Sequence, residues 1–289
     1  MTVPNVSPRF VTNLQAVRLI AAYLVLFRHS FILFGEQSPL AAAHLPQIGI
    51  WVFFAVSGYL LPGSWQRAPR LGPYLRARAL RLLPLLATVV LLSMFVLGPL
   101  FTKLGLGEYL VHPQTWSYLG NLVFHPSYFL PAVFEDNFYP SAVNGSLWSL
   151  PPQALGYVLV PLVFLLRQRA LRIVAWAIVF LLAQWDHASG LFAGVVVWGS
   201  SLSQVMTVIA VFAAGALLRE LRLEFRLGVA GALFVAYFLG SWLIPELGFP
   251  LLTVALPYAV LTVGLRSWPV LRAANRLPDI SYGVFLVGF

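Results

Sequence analysis

The sequence predicts an all-α fold: a polytopic transmembrane helical bundle of about eight full spans plus a truncated ninth, with the N-terminus inside. Three observations predict it. The first is composition. Hydrophobic residues make up 60% of the chain and charged residues only 9%, whereas a soluble domain carries about 25% charged residues. With a mean hydropathy of +0.85, the chain has too little polar surface to cover a water-soluble globule. The second is segmentation, because the apolar residues fall into runs close to the ~20 residues that cross a bilayer. The third is charge placement. Arg67, Arg70, Arg76, Arg78 and Arg81 lie between the second and third runs, and Arg167, Arg169 and Arg172 between the fourth and fifth. Arg219, Arg222 and Arg226 follow the sixth, and Arg266, Arg272 and Arg276 follow the eighth. The alternate loops hold Lys103 alone among basic residues and carry Glu36, Glu108, Glu135, Asp136, Asp186 and Glu246. Such alternation is what the positive-inside rule requires of an N-in chain.

The first span, 14–34, follows a short segment with Arg9 and no small-residue cleavage site, so it reads as a signal anchor. The other spans are 47–64, 82–101, 146–166, 171–185, 203–218, 227–244 and 249–265. A ninth begins near Ile280 and is cut off at Phe289, so the single membrane-embedded domain, 1–289, is expected to lack its C-terminal end. Residues 190–202 are Gly- and Ser-rich and either extend the following helix or form a re-entrant piece. The connection 102–145 is rich in Trp, Tyr, Phe and Pro. It is too apolar for a solvated loop and belongs at the interface or over the outer mouth.

Several functions are excluded at this point. The chain has no cysteine, which removes disulfides, zinc thiolates and thiol catalysis. No metal site is predicted. The net charge of +9 is explained by the loop arginines, so no nucleic-acid partner is expected. Membrane lipids are the surroundings of such a chain.

Chemistry concentrates in the first span, LQAVRLIAAYLVLFRHSFILF. Ionisable groups at membrane depth are costly and usually functional. Arg18 and His29 are eleven residues apart, so on a helix they lie on nearly one face, about 16 Å apart along the axis. Taken alone, Arg18 reads first as a near-interface arginine snorkelling to the cytoplasm, whereas His29 reads as a neutral imidazole bonded to a neighbouring helix or, given its membrane depth, rather as a functional group. Arg28 points about 100° away and suits an interfacial position. Ser57–Gly58 in GIWVFFAVSGYLL suits close helix packing. The arginine run after it serves topology. Arg78 and Arg81, three apart, are also neighbours on one helix face, and guanidinium forks suit phosphate. Asn144, Ser146, Trp148 and Ser149 in NGSLWSL cluster where an outer loop meets the fourth span. They form either a helix cap or a polar outer pocket.

Taken together, these segments resemble the acyltransferase-3 family of integral membrane O-acyltransferases. Arg18 and His29 are similar to its R-x10-H signature, GIWVFFAVSGYLL to its G-V-x-x-F-F-x-x-S-G-F-L segment, and Arg78-x-x-Arg81-x-x-Pro84 to its R-x-x-R-I-x-P. NGSLWSL resembles P-L-W-S-L, VFAAGALLRE at 211–220 resembles F-x-x-G-x-L-x-A, and ISYGVFLVGF at 280–289 resembles I-S-Y-x-x-Y-L-x-H. The six run in family order. The chain departs from the family at Pro151–Pro152–Gln153–Ala154, where a carboxylate is usual, and at Gly288, where a late His is usual. The family has about ten spans and completes the helix that stops here at Phe289.

The resemblance implies transfer of an acyl group, acetyl above all, from acyl-CoA on the cytoplasmic side. The acceptor would be a hydroxyl of a cell-surface carbohydrate or a lipid-linked glycan, in the plasma (inner) membrane of a bacterium. It implies acyl-CoA as co-substrate with no bound cofactor, His29 and Arg18 as catalytic residues, Arg78 and Arg81 on the donor, and Asn144, Ser146, Trp148 and Ser149 at the acceptor. The rival readings are a non-catalytic relative acting as a scaffold, or a transporter using Arg18 and His29 as a polar relay. A transporter should carry a second polar stripe on another helix, and beyond the first span the sequence has only scattered Ser, Asn and Gln.

Overall fold

The computed structural model describes residues 9–36, 47–266, 268 and 279–289, with side chains from Asn13 onward. The Arg9 side chain, Arg272 and Arg276 lie outside the described residues. The long helices are α1 Arg9–Leu33, α2 Ile48–Arg67, α3 Leu71–Leu92, α4 Leu150–Phe164, α5 Arg169–Ser189, α6 Leu202–Leu221, α7 Leu227–Leu243 and α8 Gly248–Gly264; a short α9, Ser281–Val287, follows. Among the described helices, seven are long and apolar enough to cross a membrane, and Leu227–Leu243 is a shorter apolar helix. The chain is a multi-pass integral membrane protein.

The third span starts earlier than its apolar run suggests. Leu71–Phe101 is a continuous helical stretch of 31 residues, about 46 Å long against a hydrocarbon core of about 30 Å. Arg76, Arg78 and Arg81 therefore ride on the first turns of α3 rather than in a loop. Further along, the helix widens into a π turn at Ser93–Leu97, which shifts the register of its backbone hydrogen bonds. There the buried Tyr109 hydroxyl donates to the Met94 carbonyl at 2.8 Å.

α2 and α6 cross at the centre of the main core. A Cβ on Gly58 would lie 2.0 Å from the Phe212 carbonyl oxygen, and one on Gly215 2.3 Å from that of Ala55. The two backbones thus touch where side chains would hold them apart. Trp176 of α5 and Phe212 of α6 are fully buried beside this crossing. A second core joins α3 to the 102–145 connection through Leu86, Val90, Met94, Tyr109, Tyr118, Leu130 and Leu147. That connection is neither span nor coil. It consists of short helical turns, Leu106–Val111, Pro113–Ser117 and Tyr118–Val123, laid against the end of α3.

Residues 190–202 neither extend the sixth span nor re-enter as a helix. They form a two-residue hairpin, β1 Val196–Val197 against β2 Ser200–Ser201, antiparallel with Val196 opposite Ser201. Its turn residues, Trp198 and Gly199, both have positive φ, 50° and 73°, the backbone sense that tight hairpins require. The Trp198 indole N–H donates to the Val123 carbonyl at 3.0 Å and ties the hairpin to the 102–145 connection.

Candidate functional site

The arginine-bearing loops meet at one end of the bundle. Arg172 donates to Glu220 Oε2 at 3.2–3.3 Å, and Arg169 to the Glu220 carbonyl at 2.6 Å. Arg219 packs over Tyr59, and Arg266 reaches the Phe225 carbonyl. Within this end the structure joins two of the sequence-predicted residues through a third that the sequence reading missed. Arg18 of α1 donates to Asp279 Oδ2 at 2.6 Å, and Arg81 of α3 donates to the same oxygen at 2.8 Å. The other carboxylate oxygen accepts from the Ser281 hydroxyl at 2.5 Å and its backbone N–H at 3.3 Å, closing the first turn of α9. Partial burial pushes the Asp279 carboxyl up. Arg18, the Ser281 hydrogen bonds and Arg81 outweigh that and hold it below its ordinary value. Arg18 is mostly buried, with its guanidinium 5.4 Å from the Phe53 ring centre, while Arg81 is half exposed.

Arg78 and Arg81 share a helix face but have different partners. Arg78 donates to Ser64 Oγ of α2 at 2.6 Å and stacks on Tyr74 at 4.4 Å. Tyr157 of α4 lies within electrostatic reach of Arg18, Arg78 and Arg81 together. The result is a cluster of three guanidinium groups with, among the described residues, one carboxylate in direct contact, a net positive grouping suited to an anion.

His29 sits toward the opposite end, about 16 Å along α1 from Arg18. Its Nδ1 lies 3.2 Å from the Gly288 carbonyl, and its ring stands edge-on to Phe289 at 5.0 Å. A carbonyl can only accept, so this hydrogen bond places the ring proton on Nδ1 and leaves the Nε2 lone pair free. Asn144 arrives from another direction at the same end of α9. Its amide donates to the Leu286 carbonyl at 2.8 Å, and its Oδ1 accepts from Ser146 N–H at 3.0 Å, capping the turn Gly145–Ser149. Ser149 Oγ donates to the Ser146 carbonyl at 2.9 Å. Trp148 is partly buried against the main core. Of the four outer residues, Asn144 and Ser149 spend their polar atoms on the local fold, whereas Ser146 Oγ is buried without a partner.

Thus α9, seven residues long, links both levels. Its first turn holds Arg18 and Arg81, and its end meets His29 and Asn144. Between the levels Phe53 of α2 and Phe285 of α9 pack with their ring centres 5.5 Å apart. Asp279 carried a signal in the sequence: it is an acid in front of an apolar run, on the side of the bundle where the loops otherwise hold arginines. Tyr157 carried none, being one aromatic among many in an apolar helix. Among the described residues, no cluster of three or more His, Cys, Asp or Glu could hold a metal ion.

Comparison with known proteins adds the family. A family model described as an acyltransferase domain matches residues 11–288. An O-acetyl transferase of Shigella phage Sf6 is 27% identical over 147 residues, which cover 50% of this chain and 43% of the phage protein. The match therefore spans less than half the length of that curated relative. No solved structure matches. With six motifs in order, a helical membrane bundle around them and a family match over nearly its whole length, the chain belongs to the acyltransferase-3 family.

Proposed function

We propose that the protein is a membrane O-acyltransferase moving an acyl group, acetyl above all, from a cytoplasmic acyl-CoA to a hydroxyl of a cell-surface carbohydrate or lipid-linked glycan. Family membership and the likeness to an O-acetyl transferase support the reaction class. The observation that carries the mechanism is the alignment of an anion-binding cluster and a one-sided imidazole on α1, fastened at both levels by α9.

In this reading Arg18, Arg78 and Arg81 hold the donor's phosphates, and the thioester reaches toward His29. The acceptor hydroxyl attacks the thioester carbonyl carbon while its proton passes to His29 Nε2. The tetrahedral intermediate collapses, the C–S bond breaks, and the thiolate takes the proton back from the imidazolium. An ester and the free thiol result, and His29 returns to its starting form. General-base assistance of this kind contributes about 10²–10⁴ in rate. The Gly288 carbonyl keeps the proton on Nδ1, so the basic nitrogen stays free. Arg18, held in place by Asp279, keeps a fixed positive charge where the donor arrives.

The test is transfer of labelled acetyl from acetyl-CoA by purified protein, with folded yield measured in parallel. His29→Ala is expected to lower turnover by about 10²–10⁴ while folded protein is recovered normally. Turnover near wild type in that variant returns His29 to a packing role and removes the mechanism.

A further inference from the structure

We infer that Tyr139 is a sugar-contacting residue on the acceptor side: its ring takes the apolar face of a neutral pyranose, and its hydroxyl, with that of Tyr128, hydrogen-bonds the hydroxyl groups of that sugar. The inference rests on the carbohydrate-acceptor half of the reading above and names residues that the reading does not use.

The segment 134–141 is a closed loop near the end of the 102–145 connection. It is pinned at its base, because the Phe134 carbonyl accepts from the Asn137 N–H at 3.2 Å and from the Ser141 N–H at 3.0 Å. On either side, Val133 bridges to Thr102 and Ala142 to Phe129, while Lys103 holds both Glu135 and Asp136. Ala132, Phe134 and Ser141 have positive φ, 54°, 56° and 66°. Residues other than glycine keep that backbone only where their surroundings enforce it, and such positions gather at ligand-binding sites. The loop therefore holds its tip in a set place.

That place is the outer level of the site. The Phe138 ring rests on Gly35, just past the end of α1. The Tyr139 ring stands edge-on to Phe289 with centres 5.9 Å apart, and Phe289 stands edge-on to His29 at 5.0 Å. Two ring contacts separate Tyr139 from the imidazole, within the reach of a short glycan. Tyr139 is 45% exposed, and Tyr128 lies within electrostatic reach of it. Among the described residues, neither hydroxyl makes a hydrogen bond within the protein. By contrast, Asn144, Ser146 and Ser149, which the resemblance puts at the acceptor, are buried, and Asn144 and Ser149 spend their polar atoms on the fold.

A pyranose matches the tyrosine pair. A face of its ring presents C–H groups, slightly positive, which suit the negative face of an aromatic ring. Its hydroxyls both donate and accept, as a tyrosine hydroxyl does. Lys103 is the one lysine or arginine of the 102–145 connection, and two carboxylates engage it, so the sugar fitted here carries no negative charge. A tyrosine of the interfacial aromatic belt would serve membrane seating alone, and experiment separates the two roles.

Transfer of labelled acetyl from acetyl-CoA is measured with the whole protein in detergent, with the methyl glycosides of glucose, galactose, mannose, rhamnose and glucuronic acid as acceptors in turn. Acetyl-CoA hydrolysis without glycoside and the thermal midpoint are followed in parallel. A neutral glycoside is expected to be the best acceptor of the wild type. Tyr139→Phe, which keeps the ring, should raise the KM for that glycoside about 2–10-fold. Tyr139→Leu, which keeps neither ring nor hydroxyl, should raise it about 5–100-fold. Hydrolysis, the KM for acetyl-CoA and the thermal midpoint should stay at wild type in both. Trp242→Leu, which removes an exposed aromatic at the outer end of α7, should leave the glycoside KM unchanged. An unchanged glycoside KM in Tyr139→Leu, an equal rise in Trp242→Leu, or a preference for the glucuronoside overturns the inference. If Tyr139→Leu fails to fold, Tyr139→Phe decides, and an unchanged KM there overturns the inference. If the wild type hydrolyses acetyl-CoA but acetylates no glycoside, the inference falls while the acyl-CoA donor stands. If it neither hydrolyses nor transfers, the acyl-CoA reading falls as well.

Discussion

Asp279 is the residue on which the inner level turns. It accepts from two guanidinium groups that belong to different helices, α1 and α3. Exposed ion pairs contribute little, but Arg18 is 15% exposed, so most of the effect comes from that arm. Asp279→Asn is expected to lower stability by about 1–3 kcal/mol and to weaken the anion site by freeing Arg18 and Arg81 to move. The folded-state carboxyl lies below its ordinary value. Its contribution is therefore fully present above the ordinary carboxylate range and is lost as pH falls through the lowered value. In thermal unfolding followed from about pH 7 to pH 3, wild type should lose more stability at the acid end than Asp279→Asn. Equal acid sensitivity of the two removes this account. Arg18 and His29 were legible in the sequence because ionisable residues stand out in an apolar run and helical spacing fixes their relative face. Asp279 was harder to see, because its meaning depends on residues 198 and 261 positions away.

At the scale of elements, the α2–α6 crossing makes the clearest commitment. Ser57–Gly58 suggested close packing from sequence, and the structure shows how close: the Gly58 site has no room for a methyl group against the Phe212 backbone. Gly58→Ala is expected to destabilise by about 1–3 kcal/mol through overpacking, measured as a lowered thermal midpoint in detergent. An alanine at Gly72, where a Cβ meets nothing, is the matched control. The hairpin at 196–201 and the early start of α3 were not legible. Apolar composition defines the buried length of a span but says little about where its polar first turns begin. A two-residue ladder carries too few residues to show a period.

At the scale of the whole molecule, every arginine-bearing loop described is tied to others at one end. Lys103 pairs with Glu135 and Asp136 in the 102–145 connection, with which the outer hairpin also packs. The charge alternation thus has a structural counterpart: the basic loops share one layer of contacts. If that layer is cytoplasmic, single cysteines at Gln168 and Asp136 should label with a membrane-impermeant thiol reagent from opposite sides. The absence of native cysteine makes the readout clean. Labelling of both from one side would reverse or break the proposed orientation. The bundle was readable from composition, run length and loop charge because the bilayer imposes all three. How α9 joins the two levels was not readable, since it depends on pairings across more than a hundred residues.

The double fastening of α9 has a kinetic consequence. The helix is attached through Asp279 to Arg18 and Arg81 at one end and to His29 and Asn144 at the other. Its amide protons should therefore exchange with solvent deuterium as a group, at a rate set by whichever attachment releases first. Exchange at 281–287 becomes a gauge of occupancy: an anion that draws Arg18 and Arg81 away from Asp279 should quicken it, although neither arginine belongs to the helix that reports.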